Sequence, residues 1–557
     1  MAISTGSSAA SLLFRQRQDS VHDLVFPTID GMDGFGARWG VWLVIAALAV
    51  TLPLLVVTIP PLVDAPGHLA RISIAVQQAA DPAVMAQYFT MRPQLLPNLG
   101  VDATVGLFAP WLGVQRAFWL VTLLIPVMMV GAIGLVFRAW NRSGAAAIGW
   151  ALMFVWSSPF LWGFLSYWMS TALGIGGFAV WKLLEDRPGA REVLFWAAVP
   201  LVFLSHAVGG CLMVLLIGAF EFGMAAKPLG YRPIPVVRAL LVRCRPLLVI
   251  LPLIAWWRLS GQTIEGVAGP GTTWSLSSKF EEFGTILRDQ HMIFDIACVL
   301  AATAVLAIGW WRGARLAAGT GWPIAAVWIA YIALPFTSAG GSYLDMRLVP
   351  VGMMLPLLLL DWRSVRSPRL VQLVLLGGLA LFALRLAITT TAFSGYERAN
   401  RSTLSALNQV EPGSRIMAFA GRSCHRWQHP TNSHIASLAV HHRQAWVNSL
   451  WDVEGLHSLE VLYRPSDIYY HDPSQHIWGR DCNMGAEPPA GKGGRTLTQM
   501  LRTLPASGYD YLWLLDNQLS PAQARGRFQP IWEDDRGALY RRIGTGSALG
   551  NPENPAS

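Results

Sequence analysis

Between Trp39 and Ile59 the chain runs for 21 residues without a charged side chain, and Pro60-Pro61 closes the run. At about 1.5 Å per residue this is enough to cross a hydrocarbon core of about 30 Å, so it predicts a transmembrane helix stopped by the double proline. Directly after it comes Leu62-Val63-Asp64-Ala65-Pro66-Gly67-His68-Leu69-Ala70-Arg71. The 64/68/71 spacing puts an acid, an imidazole and a guanidinium on one side of any helix that forms there. Ionisable groups at a bilayer boundary cost free energy, which makes these three the first candidates for function.

The pattern of the first span recurs along the chain. Ala117–Phe137 is a second crossing. Ser143–Trp181 holds 39 uncharged residues, about two spans joined by a tight hairpin at Ser157, Ser158, Pro159, Ser166 and Tyr167. Glu192–Ala226 reads as another hairpin with His206 near its middle, because both its flanks are basic. Pro246–Trp257, Met292–Trp311, Trp322–Thr337, Leu348–Leu360 and Leu370 to about Phe393 supply the remaining crossings. Val101–Gly113, which carries Asp102, is too short to span and predicts an interfacial or re-entrant helix.

The expected fold is therefore a mainly α polytopic membrane protein of about eleven spans. Five short loops (138–142, 182–191, 227–245, 312–315, 362–369) hold 15 Lys and Arg in 46 residues, whereas the longer loops 59–116, 258–291 and 338–347 hold seven. By the positive-inside rule the first set is cytoplasmic, which puts the N-terminus inside and the C-terminus outside.

A composition of 53% apolar and 13% charged residues excludes an ordinary soluble enzyme. The net charge of +9 lies in loops between apolar runs and reads as topology, not nucleic-acid binding. Residues 1–38 lack the compact apolar core of a cleavable signal and read as a cytoplasmic segment. Residues 39–393 form the membrane domain, in which the 258–291 loop, with its glycine-rich run from Gly266 to Gly271, has the length of a substrate lid. Residues 394–543 read as a small α/β domain on the outer face, with strands at Arg415–Ala420, Tyr509–Leu515 and Ala538–Arg542 and a helix at Leu497–Leu504. A disordered tail follows from 544 to 557.

Asp64 is the candidate catalytic residue: ionised, it takes the proton of an attacking hydroxyl. His68, Arg71, His206 and Arg347 are fixed donors suited to an anionic leaving group, and Arg92, Asp102, Tyr167 and Asp345 complete the candidate substrate-binding set. The plainer alternatives are that Asp64 and Arg71 form an ordinary interfacial pair, and that Asp345 and Arg347, two residues apart, neutralise each other. Eight of the twelve histidines lie after residue 394, including His425 and His429 at His-x3-His spacing, but no Cys-x2-Cys accompanies them, so no metal or other cofactor is expected. Cys424 and Cys482, on the outer side, are candidates for a disulfide.

An early acid in a long first outer loop, a re-entrant helix within that loop, two hairpins, a second long outer loop and a C-terminal outer domain together resemble the GT-C superfamily of membrane glycosyltransferases. Asp64-Ala65-Pro66-Gly67-His68-Leu69-Ala70-Arg71 is similar to the first-loop motif of its bacterial members. The resemblance covers most of residues 39–393. It implies a polyprenyl-phosphate-linked sugar as donor, a glycan, lipid or protein hydroxyl as acceptor, and the bacterial inner membrane as location, with transfer on the periplasmic side. It places Asp64 at the catalytic carboxylate and His206 against the lipid phosphate. The resemblance implies an inverting transfer; the first hairpin offers Ser166 and Tyr167 where several members carry a second acid, which points away from a metal-dependent mechanism. The rival readings are a transporter or flippase of lipid-linked glycans, for which no internal repeat is found, and an O-antigen ligase or polymerase, in which the large outer loop would lie between late spans.

Overall fold

The computed structural model describes residues 32–92, 94–140, 145–259, 272–337, 342–453, 456–466, 475–478 and 495–543, with 32–38 as helix backbone only. The segment before residue 32, the Gly266–Gly271 run, Cys482 and the 544–557 tail lie outside these residues. Five helices are long and apolar enough to cross a membrane: Val114–Ala139, Pro188–Ser205, Ala207–Ala226, Met292–Trp311 and the long helix from Pro368. Pro233–Arg243 and Arg245–Leu259 would make a sixth span, but the two halves meet at 79°. Trp39–Ala49, Ala145–Leu161, Gly321–Ala333 and Met346–Leu359 are apolar and shorter. The described residues thus give five or six full-length spans where the sequence pattern predicts about eleven.

The departures have local causes. The first helix, Met32–Ala49, ends ten residues before Ile59, because Pro53 cannot donate to the carbonyl one turn back; Thr51 instead turns its hydroxyl onto Leu48 O (2.7 Å) and a single turn, Leu52–Leu55, follows. The first arm of the Ser143–Trp181 stretch is a series of short turns from Ala145 to Leu161, and only its second arm, Leu165–Leu183, is one helix. In the other hairpin the chain breaks at His206, whose extended backbone (φ −165°, ψ 132°) separates Pro188–Ser205 from Ala207–Ala226. The last membrane helix does not stop near Phe393 but continues unbroken from Pro368 to Ser405. At about 1.5 Å per residue it is far longer than a bilayer core. Its projecting end is fixed where Glu397 accepts from the backbone N–H (3.0 Å) and the hydroxyl (2.8 Å) of Thr58.

Beyond that helix lies a six-stranded mixed sheet. Arg415–Arg422 pairs in parallel with Trp446–Val447, His476–Trp478 and Tyr511–Leu515; Gly537–Arg542 then runs antiparallel to Tyr511–Leu515 and to Phe528–Asp534. The strand and helix runs expected near 415, 511, 538 and 497 are all present.

The domain is docked on both sides of the Asp64 segment. A short strand in the segment after the Ala65–Ala80 helix, Phe89–Met91, pairs antiparallel with Leu459–Val461. The Ala65–Ala80 helix meets the Leu438–Arg443 helix, where Ser73 Oγ lies 2.8 Å from His441 Nδ1. Opposite, buried Asp295 accepts from Arg385 Nη1 (2.8 Å), from Trp427 Nε1 (2.8 Å) and from the Asp289 N–H (2.7 Å), so one carboxylate joins two membrane helices to the C-terminal domain. Cys424 is disulfide-bonded, whereas Cys211, Cys244 and Cys298 are free thiols.

Candidate functional site

The motif Asp64-Ala65-Pro66-Gly67-His68 has a steric reason at nearly every position. Asp64 precedes the Ala65–Ala80 helix, and Pro66 sits in the first turn, where a missing N–H breaks no helical bond. The backbone N–H groups of Val63 and Asp64 donate to the carbonyls of Leu161 (3.2 Å) and Trp162 (3.0 Å) in the turn before the Leu165–Leu183 helix. Gly163 makes this possible: its φ is +87°, and a Cβ there would lie 2.8 Å from Asp64 N. Gly67 serves a second approach, because a Cβ on it would lie 2.5 Å from two ring carbons of Trp451 in the C-terminal domain. Asp64 is therefore held between the first hairpin and the C-terminal domain.

Its carboxyl is largely buried, and burial pushes its proton affinity up to about pH 7, against the pull of Arg347 and Arg71. Oδ1 lies 3.7 Å from His434 Nε2. The ring of His434 packs on Trp451 with centroids 4.6 Å apart, and Trp451 in turn covers Gly67. Tyr343, held at φ 59°, feels the charge of Asp64 and lies against Trp162, with centroids 5.1 Å apart.

One turn into the helix, His68 Nδ1 is 3.0 Å from Arg71 Nη2, so that nitrogen is the acceptor and the ring is neutral. Burial first, and then Arg71, hold the His68 pKa well below the ordinary range. Arg71 also grips Asp102 with two bonds, Nε to Oδ2 (3.1 Å) and Nη2 to Oδ1 (2.9 Å), which pins the Gly100–Leu112 helix against Ala65–Ala80. His457 of the outer domain lies close enough to Arg71 and His68 that its own pKa, already lowered by burial, falls further.

The second half of the site lies between the break at His206 and the turn that carries Arg347. His206 Nδ1 accepts from the Val208 N–H (3.2 Å) and caps the Ala207–Ala226 helix. Burial and Arg347 hold the ring neutral, so its Nε2 carries the proton. That Nε2–H faces Arg347 Nη1 at 3.4 Å. Both groups are donors, and two donors turned toward each other describe a place for an acceptor. Arg347 lies flat over Phe164 (4.4 Å) and beside Tyr167 (5.3 Å), whose hydroxyl donates to the Arg347 carbonyl. Its Nε is a buried donor that meets no acceptor among the described residues.

Of the expected substrate-binding residues, Arg71 and Arg347 both act on the charge of Asp64, with His68 set on Arg71 and His206 and Tyr167 set on Arg347. Asp345 is not the partner of Arg347. It is wholly buried, pairs with Lys279 and accepts from the Met346 N–H (2.9 Å). Asp102 acts through Arg71. Arg92 lies at the surface, with its side chain 64% exposed and paired to Glu460 at 2.6 Å. Sequence reasoning missed His434, Trp451, Tyr343 and His457. The sole signal for them was the concentration of histidines after residue 394, read there only for metal-ligand spacing. Among the described residues no group of three or more His, Cys, Asp or Glu is placed to hold a metal ion.

No protein-family model matches the chain, and no curated protein does. Two solved structures are similar to it, both of ArnT from Cupriavidus metallidurans. The apo form is 13% identical, with a TM-score of 0.45 over 91% of this chain and 98% of that one. The form bound to undecaprenyl phosphate is 14% identical, with a TM-score of 0.46 over 92% of this chain and 99% of that one.

Proposed function

We propose that this chain is a glycosyltransferase of the bacterial inner membrane, moving a sugar from a polyprenyl-phosphate donor to a hydroxyl of a periplasmic glycan, lipid or protein. The observation that carries the reading is the pair of facing donors, His206 Nε2–H and Arg347 Nη1, with Arg347 Nε unsatisfied beside them. Buried donors without an acceptor are costly, and an anionic phosphate oxygen satisfies several at once. Asp64 is close enough to Arg347 to feel its charge. In the reaction the acceptor hydroxyl attacks C1 of the sugar, its proton passes to Asp64, and the bond from C1 to the phosphate oxygen breaks. Arg347 and His206 take up the charge that develops on the leaving phosphate, where fixed donors in a dry site are most effective. Attack from the face opposite the phosphate inverts the anomeric centre.

The test is transfer by purified protein from undecaprenyl-phosphate-linked sugars to hydroxyl acceptors, with the anomeric configuration of the product read by NMR. Asp64→Asn keeps the shape of the side chain and removes the proton acceptor, so transfer should fall by roughly 10²- to 10⁴-fold. Wild-type turnover in a well-folded Asp64→Asn protein, or passage of the lipid-linked sugar across the bilayer without transfer, would overturn the reading. A periplasm-only reporter fused after Ser557 should be active; activity of a cytoplasm-only reporter there would put Asp64 on the wrong side.

A further inference from the structure

The contact between Asp64 and His434 joins residues 370 positions apart, and nothing in the proposed reaction assigns a part to the C-terminal domain. We propose that His434 is a positioning residue for Asp64, so that the outer domain is part of the reaction centre rather than an appendage to it. The proposal rests on the glycosyl-transfer reading of Asp64.

Three features of the geometry support it. His434 Nε2 is 3.7 Å from Asp64 Oδ1, longer than a hydrogen bond, and both side chains are largely withdrawn from water (5% and 21% exposed). Contacts of this kind commonly shorten when substrate closes the site. The ring has little freedom, because it lies on Trp451, and Trp451 is seated where Gly67 leaves no side chain. The domain that carries both residues is tied down on either side of Asp64, by the Phe89–Met91 strand pairing and by the Trp427 bond to Asp295.

The chemical role follows from the other groups that face Asp64. Arg347, Arg71 and Tyr343 bear on its charge, and His68 and His457 lie close by on Arg71. The two guanidiniums act at longer range and are engaged elsewhere, Arg71 by Asp102 and Arg347 by the proposed phosphate. Among these groups it is His434 whose ring nitrogen stands within 4 Å of a carboxylate oxygen of Asp64. Its Nε2 favours the ionised carboxylate and fixes the direction in which the other oxygen points, which is the orientation a general base needs.

His434→Phe is the test. It keeps an aromatic ring on Trp451 and removes the nitrogen. Asp64 should then hold its proton to higher pH, and one unit of such a shift is about tenfold in the ionised fraction below the pKa. The first readout needs no substrate: dicyclohexylcarbodiimide modifies protonated carboxyls in apolar sites, and peptide mass spectrometry follows its reaction at Asp64 against pH. The labelling midpoint should rise by about one unit in His434→Phe and return toward wild type in His434→Gln, whose amide restores a donor. The second readout is transfer, which should drop about tenfold near pH 6 and recover with rising pH, with the acceptor KM unchanged. Labelling and rate profiles of a folded His434→Phe protein that coincide with wild type would overturn the proposal, as would a loss of rate equal at every pH. If the labelling shift appears but the wild-type protein transfers no sugar, the positioning role stands and the glycosyl-transfer reading fails.

Discussion

Two arginines reach toward the same carboxylate, and their surroundings differ in a way that assigns them different work. Arg71, in the Ala65–Ala80 helix, is held by partners: Asp102 takes two of its bonds and His68 a third. Arg347 has an acid two residues away, yet Asp345 is committed to Lys279 and leaves Arg347 stacked on Phe164 and Tyr167, with a long bond from Nη2 to Ser342 O (3.5 Å) and its buried Nε donor unused. A guanidinium held by partners ties elements together. One kept buried and unsatisfied, at the cost of desolvation, is arranged for an anion that arrives later. The lesson is that proximity of opposite charges in sequence says little about which charges meet.

The largest effect that could break this contrast is expected at Asp102. Removing it in Asp102→Ala leaves Arg71, with its side chain 3% exposed, as a buried charge with only an imidazole nitrogen to answer it. Breaking a buried pair in this way typically costs about 3–5 kcal/mol, so the variant should unfold at much lower denaturant or temperature in detergent. Asp102→Asn, which keeps one acceptor, should recover part of that. If Asp102→Ala were fully stable but unable to use donor, Arg71 would be a ligand and the contrast would fail.

Arg347→Ala should show the reverse. Its loss removes no carboxylate contact, so the melting temperature should change little, while donor use falls by roughly 10²- to 10³-fold, the usual consequence of deleting one fixed donor to a developing anion. Undecaprenyl phosphate should stabilise the wild-type protein against heat and stabilise Arg347→Ala less. Equal stabilisation of both would remove the phosphate from Arg347.

The charge on Asp64 links the two regions and has a sign that can be checked. Its folded pKa, about 7, lies above the ordinary 3.8. Between those values the unfolded chain has lost the proton that the folded protein keeps, so stability falls as pH rises through this window and is lowest above it. Activity, which needs the carboxylate, should rise over the upper part of the same window. Asp64→Asn escapes the loss and should melt higher than wild type at pH 8 but at much the same temperature as wild type at pH 4, while being the poorer catalyst at both. Identical melting curves at pH 8 would mean that Asp64 is well solvated and unfit to be a base tuned near neutrality.

How much of this was legible in the sequence depended on the range of the interaction. Local rules carried far: the spacing of Asp64, His68 and Arg71 lies on one helix start, the break at His206 falls inside an apolar run with basic flanks, and the strand runs at 415, 511 and 538 are where alternation and β-branched or aromatic residues placed them. What failed locally was the first span, where Pro53 outweighed an otherwise uninterrupted apolar run. The long-range partners had no signal. Nothing near Gly67 announces that its missing side chain seats Trp451, and nothing near residue 434 announces an acid at 64. The pairing of Asp345 with Lys279 instead of Arg347 depended on where the loop helix Leu276–Thr285 would come to rest.

The smallest effect belongs to the outermost arginine of the first loop, and it sharpens the contrast by supplying a control. Arg92 pairs with Glu460 across the strand pairing that docks the outer domain, but the two side chains are 64% and 32% exposed. Water and salt screen such a pair, and holding a long side chain in one rotamer offsets much of the attraction, so it contributes about 0–1 kcal/mol. The docking itself is maintained by the antiparallel pairing of Phe89–Met91 with Leu459–Val461, with Arg92 N–H donating to Ser458 O at 2.7 Å and Leu462 N–H to Tyr88 O at 2.8 Å, all of which a substitution of the side chain leaves intact. Arg92→Ala should therefore melt within a degree or two of wild type and transfer sugar at a comparable rate, with whatever small loss there is disappearing at high salt. A loss of donor use on the scale of Arg347→Ala would mean that a surface-paired arginine can also be a ligand, and saturation by partners would no longer separate scaffold from site in this protein.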